Sequence, residues 1–482
     1  MRKPLRIQHI LAAALSVLIV GSAAGRATPA SFTEQLGAHL AHLARDEGLS
    51  GVVLVGKNGR PVFQRAYGQS NRADGIANRV DTKFNMASMG KMITAVAVLQ
   101  LAEKGKIASL QDKVGRYLPN YPNKAVRDGV TIAQLLTHTS GMGNFWDRLA
   151  DKSKDRFVTL SDYLPLFADE KLQFEPGKGF AYSNNGYTVL GLIIEAVSGQ
   201  NYFDYVRHNI YRPSGMTDTD AVELDKPVAH MATGYSRSAD RPGQFVSNFY
   251  TLPYKGSAAG GSYTTAADML RFANALTHNR LLTREDTNAL TLDRVAYGTR
   301  RYGYGITVET VNGHRIIGHG GGNAGVADEL LIFTDLGYTV VILTNGDVEN
   351  FWDVENFVKR ELTGPSPPTK SFDFTEKLID AVERSGFDAG AKLLAGSTAL
   401  RAIRGGLMEQ IGYKLLWQDK VDQGVNMFRL YVLADPKAAY AYLGLGAAEE
   451  RAGDKPGAIA AYTKYLVLEP DDKDVRAKLP KL

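Results

Sequence analysis

Phe84-Asn85-Met86-Ala87-Ser88-Met89-Gly90-Lys91, continued by Met92-Ile93-Thr94-Ala95-Val96-Ala97-Val98-Leu99, decides how the rest of the chain is read. Apolar residues fill most positions from Met92 to Leu101, the pattern of a helix covered on nearly all sides. The spacing predicts a loop that turns into this helix, which ends near Gly105. Ser88 then lies in its first turn, where backbone amides have no intrahelical partner and the macrodipole is positive. An alkoxide is stabilised at such a place. Lys91, three residues on, shares the face of Ser88. A serine is a weak nucleophile until a base takes its proton, and a lysine buried in such a helix has a depressed pKa and can serve. Ser-x-x-Lys is common by chance, so its weight comes from its surroundings.

Upstream, Ser31 to Gly48 carries Leu36, Leu40 and Leu43 on one stripe and reads as an amphipathic helix. Gly51 to Gly56 reads as a buried strand, Lys57-Asn58-Gly59-Arg60 as a hairpin turn, and Pro61 to Gln64 as the returning strand. Downstream, residues 106 to about 250 show little strand pattern, and helical stretches alternate with loops rich in Pro and Gly. Within them, Thr131 to Met142 is a short helix with a turn behind it. Phe174-Glu175-Pro176-Gly177 is a turn leading into Phe180-Ala181-Tyr182-Ser183-Asn184-Asn185-Gly186-Tyr187, and a helix follows with Gly199 as its stop. Strand signals return at 304–308, 315–319, 329–333 and 338–343, and Gly320-Gly321-Gly322 follows the second, glycines that let the chain turn beside the sheet or let a substrate approach the backbone. Asp353 to Leu362 closes as a helix. The expected architecture is α+β: one antiparallel sheet built from both ends of the region 31–362, flanked by helices, with an all-α insertion between the two ends.

Thr363-Gly364-Pro365-Ser366-Pro367-Pro368-Thr369-Lys370 is a linker by composition, so residues 363–371 are expected to join two separately folding parts. Residues 372–482 read as helices only. Pro436 and Pro470 stand 34 residues apart behind paired helical stretches, and segments at about 407–436 and 441–470 resemble the tetratricopeptide repeat.

At the N-terminus, Arg2, Lys3 and Arg6 precede the short apolar run Ile10–Val20 and the small residues Ser22-Ala23-Ala24. Residues 1–24 therefore read as a secretory signal peptide, too short in its apolar part to span a bilayer. Export to the periplasm or outside is the expectation, with no stable membrane span after cleavage. The chain has 482 residues, no cysteine and a formal charge of +5, part of it in that leader. That balance gives no case for nucleic-acid binding, and the lack of cysteine removes disulfides, thiolate metal sites and a lipid-modified cysteine. There is no H-x-H, no H-E-x-x-H and no phosphate-binding glycine loop, so no metal and no organic cofactor are implied.

Three patches carry chemistry: Ser88-Met89-Gly90-Lys91, Tyr182-Ser183-Asn184 and His319-Gly320-Gly321. In this order they resemble the β-lactamase and penicillin-binding-protein superfamily of active-site serine hydrolases. The Tyr-x-Asn patch points to the class C-like branch, which also holds esterases and D-amino-acid peptidases. Leu135 to Gly141, Glu175-Pro176-Gly177, Gly215 to Thr219 and Gly260 to Thr265 look like that branch as well. The resemblance covers about residues 31–362.

It implies that Ser88 attacks a carbonyl and forms an acyl-enzyme, with Lys91 and Tyr182 sharing the proton. An adjacent ammonium is expected to favour the Tyr182 phenolate, and which of the two is the base stays open. Asn184 is expected to hold Lys91 or the substrate amide, doubling as a helix cap. Gly321, Gly322 and His319 are expected at the substrate, with the amides of Ser88 and Gly322 as the oxyanion hole. His138 reads as structural. Penicillin-hydrolysing relatives carry Lys-Thr-Gly in the third patch. Histidine stands here instead, and to do the work of that lysine it must be protonated. The substrate is then an ester, a D-amino-acid peptide or a β-lactam, small molecule or peptide, with a protein partner for the C-terminal repeats. A second class remains beside this one: a non-catalytic penicillin-binding-like protein that holds a cell-wall peptide and recruits a partner through its repeats.

Overall fold

A computed structural model describes residues 31–150, 152–238, 241–347, 349–397 and 403–482. The expected leader 1–24 lies outside these residues. Eight strands form one sheet: β1 (Gly51–Lys57), β2 (Arg60–Tyr67), β3 (Val295–Tyr297), β4 (Arg300–Tyr302), β5 (Thr307–Val311), β6 (His314–Asn323), β7 (Val326–Phe333) and β8 (Tyr338–Thr344). Their order is β2-β1-β8-β7-β6-β5-β4-β3, antiparallel throughout. The ends of the region meet where β1 pairs β8, with Val52 opposite Leu343 and Leu54 opposite Val341. The β1–β2 turn has Asn58 at φ 49° and Gly59 at φ 77°, the left-handed pair that a two-residue hairpin requires.

Side chains along a strand alternate between faces, and both faces of this sheet are covered. Val52, Leu54, Leu330, Ile332, Val341 and Leu343 enter one core, and Val53, Val55, Leu331, Phe333, Val340 and Ile342 enter another. Every residue of β7 is therefore buried. The second core is closed by α1 (Phe32–His42) and α5 (Glu349–Thr363), through Leu36, Leu40, Val354, Phe357 and Val358. The first, larger core holds α2 (Gly90–Glu103), α3 (Asn184–Ser198) and α4 (Ala266–Thr277). As its sequence predicts, α2 is buried at every position from Gly90 to Leu101. Among the described residues 106–250 the strands are two of three residues, Tyr235–Arg237 and Phe245–Ser247, paired as a hairpin.

Two readings change. Gly320-Gly321-Gly322 does not turn the chain: all three stay in β6, opposite Glu329, Asp328 and Ala327 of β7. The expected linker is a short corner. Only Gly364–Ser366 separates α5 from α6 (Pro367–Ser385), because Ser366 caps that helix by accepting the Thr369 N–H and the prolines occupy its first turn. Asn312 clamps the corner by donating to the carbonyls of Thr363, Gly364 and Pro365 at 3.0–3.1 Å. Beyond it the chain is helical: α7 (Phe387–Ala395), α8 (Gly405–Trp417), α9 (Val421–Ala434), α10 (Ala439–Arg451), α11 (Lys455–Leu468) and α12 (Lys473–Lys478). Trp352 of α5 packs against both the sheet-side core and the core of these helices.

β3 and β4 are short and β4 is charged, because Arg300 is spent on a buried ion network. Its guanidinium meets Glu309 at 3.4 Å, Glu329 at 3.0 Å and Glu355, while Lys359 meets Glu309 at 2.5 Å and Glu355 at 2.7 Å. Burial alone raises the Glu355 pKa, yet Arg300 and Lys359 outweigh it and hold the group at about 2. Removing one member of such a set strands the others in a low-dielectric interior. Arg300→Met is expected to lower unfolding free energy by about 3–5 kcal/mol, read by urea denaturation followed by circular dichroism; a midpoint equal to wild type would contradict it.

Candidate active site

Ser88 sits in a single 3-10 turn, Ala87–Met89, just before α2 rather than inside it. The approach is tight. Phe84–Asn85 pairs with Tyr263–Thr264, Asn85 Oδ1 accepts the Ala87 N–H at 2.9 Å, and Ala87 takes φ +40°. A non-glycine residue held there is strained and must be fixed by its neighbours. Two glycine backbones do this. A Cβ on Gly260 would lie 2.0 Å from the Ala87 carbonyl oxygen, and one on Gly321 would lie 2.5 Å from that of Met86. Gly260-Gly261 and Gly320-Gly321 thus flank the serine turn at a distance no other residue allows.

Lys91 is 0% exposed. Its Nζ lies 3.0 Å from Ser88 Oγ and donates to Asn184 Oδ1 at 2.7 Å and to the Ala259 carbonyl at 2.8 Å. Desolvation holds its pKa well below the ordinary lysine value. Asn184 is oriented from behind by Asn144, whose Oδ1 accepts the Asn184 N–H at 2.8 Å and its Nδ2–H at 2.9 Å, and whose own Nδ2 donates to the Tyr182 carbonyl at 2.8 Å. Asn144 stands in a loop with no periodicity or motif, so nothing in the sequence marks it. The cap of α3 is Ser183, whose Oγ accepts the Gly186 N–H at 2.9 Å, so Asn184 is free of that duty.

Tyr182 lies beside Lys91, with Nζ 4.8 Å from its ring centroid. The expected phenolate does not follow. Burial pushes the Tyr182 hydroxyl well above the ordinary phenol range, and a hydrogen bond with Ser88 pulling it down is the weaker effect.

The third patch departs further from expectation. His319 is 3% exposed, and both ring nitrogens are occupied. His138, buried with φ +59°, accepts the Ser183 N–H on Nδ1 at 3.0 Å, so its proton is on Nε2 and goes to Tyr302 Oη at 3.1 Å. Tyr302 Oη then donates to His319 Nε2 at 2.8 Å, and His319 Nδ1 donates to the Gly320 carbonyl at 2.5 Å. Every donor in this row has one acceptor, and both rings are neutral. Burial, then the Lys91 charge, pushes His319 down to about 3, and burial pushes His138 down as well. His319 is therefore no protonated stand-in for a lysine. Tyr302, the centre of the row, was missed because β4 gave no strand signal.

Beside Ser88 opens a narrow cleft of about 40 Å³. Phe145, Trp146, Val222, Leu224, Leu252 and Pro253 form its apolar wall, and Asn85, Asn184, Gly322 and Asn323 supply polar groups. Among the described residues, none that lines it has a charged side chain. The structure thus brings Ser88, Lys91, Tyr182, Asn184 and Gly322 together, sets Gly321 behind the serine turn, and withdraws the His319 ring. Among the described residues no group of three or more His, Asp or Glu side chains is gathered as metal ligands.

An antiparallel sheet with helices on both faces, and a serine–lysine turn pinned between its third-motif strand and a glycine loop, is the frame of the penicillin-binding-protein and β-lactamase type. The chain belongs to the Beta-lactamase family, whose model matches residues 34–363. It is similar to Penicillin-binding protein 4* of Bacillus subtilis (strain 168), with 28% identity over 369 residues that span 73% of this chain and 80% of that protein. Among solved structures it is similar to a penicillin binding protein from Bacillus halodurans, with 33% identity and a TM-score of 0.61 over 67% of this chain and 98% of the other. It is also similar to the D-amino acid amidase from Ochrobactrum anthropi SV3 complexed with D-phenylalanine, with 25% identity and a TM-score of 0.58 over 68% and 98%.

The neutral row gives a pH prediction. Unfolded histidine titrates near about 6.5, and folded His138 and His319 titrate lower. Their contribution to stability is complete above about 6.5 and drains as pH falls, because the unfolded chain takes up protons that the folded chain refuses, at about 1.4 kcal/mol per pH unit for each. The His319 ring signals in NMR are expected to stay fixed from pH 8 to 5. A titration with a midpoint near 6.5 would contradict the neutral row.

Proposed function

We propose that the chain is a serine hydrolase that cleaves a neutral ester or amide bearing an apolar group through an acyl-enzyme on Ser88. The observation that carries this is the coordination of Lys91. A neutral amine has two N–H bonds and one lone pair. Asn184 Oδ1 and the Ala259 carbonyl take two donors, and the remaining direction faces Ser88 Oγ. With its pKa depressed by burial, the amine accepts the Ser88 proton while Oγ attacks the substrate carbonyl carbon. Lys91 is therefore the base of the pair. Tyr182, a neutral phenol, passes that proton on to the leaving oxygen or nitrogen as its bond to the carbonyl carbon breaks. Water then attacks the acyl ester by the same route in reverse and releases Ser88. The Ser88 and Gly322 amides receive the negative charge on the carbonyl oxygen.

The substrate class rests on charge. A substrate carboxylate would have no cation on the cleft wall to meet it, and its desolvation would go uncompensated. The apolar wall, and the similarity to a D-amino acid amidase solved with D-phenylalanine, favour neutral esters or amides over penicillins. The leader-like residues 1–24 support export, and the paired helices α8 to α11, at about 407–436 and 441–470, support a tetratricopeptide-like region that receives a protein partner.

A fluorophosphonate probe is expected to label Ser88, seen by peptide mass spectrometry, and to leave Ser88→Ala unlabelled. Lys91→Ala should lower kcat for a p-nitrophenyl ester by about 10²–10⁴-fold and remove the alkaline-rising limb that the lysine sets. Wild type should turn over that ester better than nitrocefin at pH 7. Full activity in folded Ser88→Ala would end this reading.

A further inference from the structure

The helical region touches a hairpin that leads to the cleft wall. Trp417, the last residue of α8, donates from Nε1 to the Gln244 carbonyl at 2.9 Å and accepts the Gly243 N–H on its own carbonyl at 3.0 Å. Its ring lies 5.1 Å from that of Phe245, and the Arg237 guanidinium sits 5.3 Å over it. These contacts fall on the hairpin Tyr235–Arg237 and Phe245–Ser247 and on Gly243-Gln244, just before its second strand. That hairpin ends in Asn248, which is buried. The Asn248 backbone N–H donates to the Gly234 carbonyl at 2.9 Å, closing the hairpin base, and its Nδ2 donates to the Ala324 carbonyl at 2.9 Å. Its own carbonyl accepts the N–H groups of Thr251 and Leu252 at 2.9 and 3.3 Å. Gly325 packs so closely that a Cβ there would lie 2.4 Å from the Tyr235 nitrogen.

Asn248 therefore holds two stretches of the cleft wall at once. Leu252 and Pro253 form one side, and Gly322 and Asn323, just before Ala324, form the other. We infer that Trp417 is a positioning residue for substrate selection: through the hairpin and Asn248 it fixes the width of the cleft beside Ser88. The inference rests on the proposed acyl transfer at Ser88 and adds the residue that sets which acyl groups enter. A narrow cleft favours a short acyl group. Loosening its walls costs the short substrate its fit and admits a longer one.

The test uses the full chain. Trp417→Ala, Trp417→Phe and Phe245→Ala are compared with wild type on p-nitrophenyl acetate and p-nitrophenyl hexanoate, with Tyr440→Ser, exposed on α10, as a control. Displacements of a wall by an ångström change rates by orders of magnitude, so the preference for acetate over hexanoate in kcat/KM should fall about tenfold in Trp417→Ala. Trp417→Phe keeps the ring and loses the Nε1 donor, so it should fall between. Tyr440→Ser should match wild type. Amide hydrogen exchange at 248–253 should quicken in the same order. An unchanged preference with unchanged exchange, or an equal loss on both esters, overturns the inference. If Trp417→Ala does not accumulate, Phe245→Ala removes the same ring contact from the hairpin side and decides the matter. If wild type hydrolyses neither ester and the fluorophosphonate leaves Ser88 bare, the hydrolase reading fails, and the exchange measurement still judges the role of Trp417 separately.

Discussion

The site depends on the desolvation of one amine. An ammonium taken wholly out of water carries a penalty of several kcal/mol, whereas the neutral amine carries little. Burying Lys91 on every side makes it a base, and the fold around it follows from that need. α2 must be covered all round, so the sheet lies on one side and α3 on another. The Ala259 carbonyl must come within 2.8 Å of Nζ. That brings the loop 256–261 hard against the serine turn, where Gly260 alone can pass the Ala87 carbonyl. Thr94 ties the same loop one turn further along α2, donating to the Ala258 carbonyl at 2.6 Å.

Charge is handled in two opposite ways on one strand. At Arg300, β4 buries three carboxylates with two cations and satisfies them mutually. Two residues on, at Tyr302, it anchors a row with no formal charge at all. The separation has a physical consequence: His319, away from the carboxylates and wholly buried, is kept neutral chiefly by its desolvation. The row instead fixes the orientation of the third-motif strand by hydrogen bonds that do not vary with pH in the neutral range.

The parts legible in the sequence are those with local signatures. The Ser88 turn, the all-apolar α2, the Asn-Gly hairpin and the four apolar strand runs each declare themselves over a few residues, and the sheet built from both ends of the region follows from their order. What was not legible depends on contacts across the chain. β3 and β4 are three residues each, and Arg300 looks like a surface residue until Glu309, Glu329 and Glu355 surround it. Asn144 and Tyr302 are ordinary residues made important by partners 40 and 164 positions away. The sequence leaves the charge of His319 dependent on its surroundings, and burial with two occupied ring nitrogens makes it neutral. The glycines at 320–322 serve a close approach rather than a turn, since a Cβ on Gly321 would lie 2.5 Å from the Met86 carbonyl oxygen.

Composition misled in the same way at residues 363–371. Proline and serine suggest a slack joint, yet Ser366 and the prolines start a helix, and Asn312 holds the three carbonyls of the corner. A joint fixed at that point constrains where α8 can lie, because α5 and α6 share the packing around Trp352 with the helices that follow. Trp417 then meets the hairpin at 235–247 by geometry set more than fifty residues earlier. A flexible linker could not deliver an indole to a defined carbonyl, since a tether free to move dilutes any contact it carries. The stiffness of the corner and the hydrogen bond at Gln244 are thus two ends of one constraint. It is the physical reason that helices lying outside the family's matched residues stand in contact with the hairpin from which the cleft wall is built.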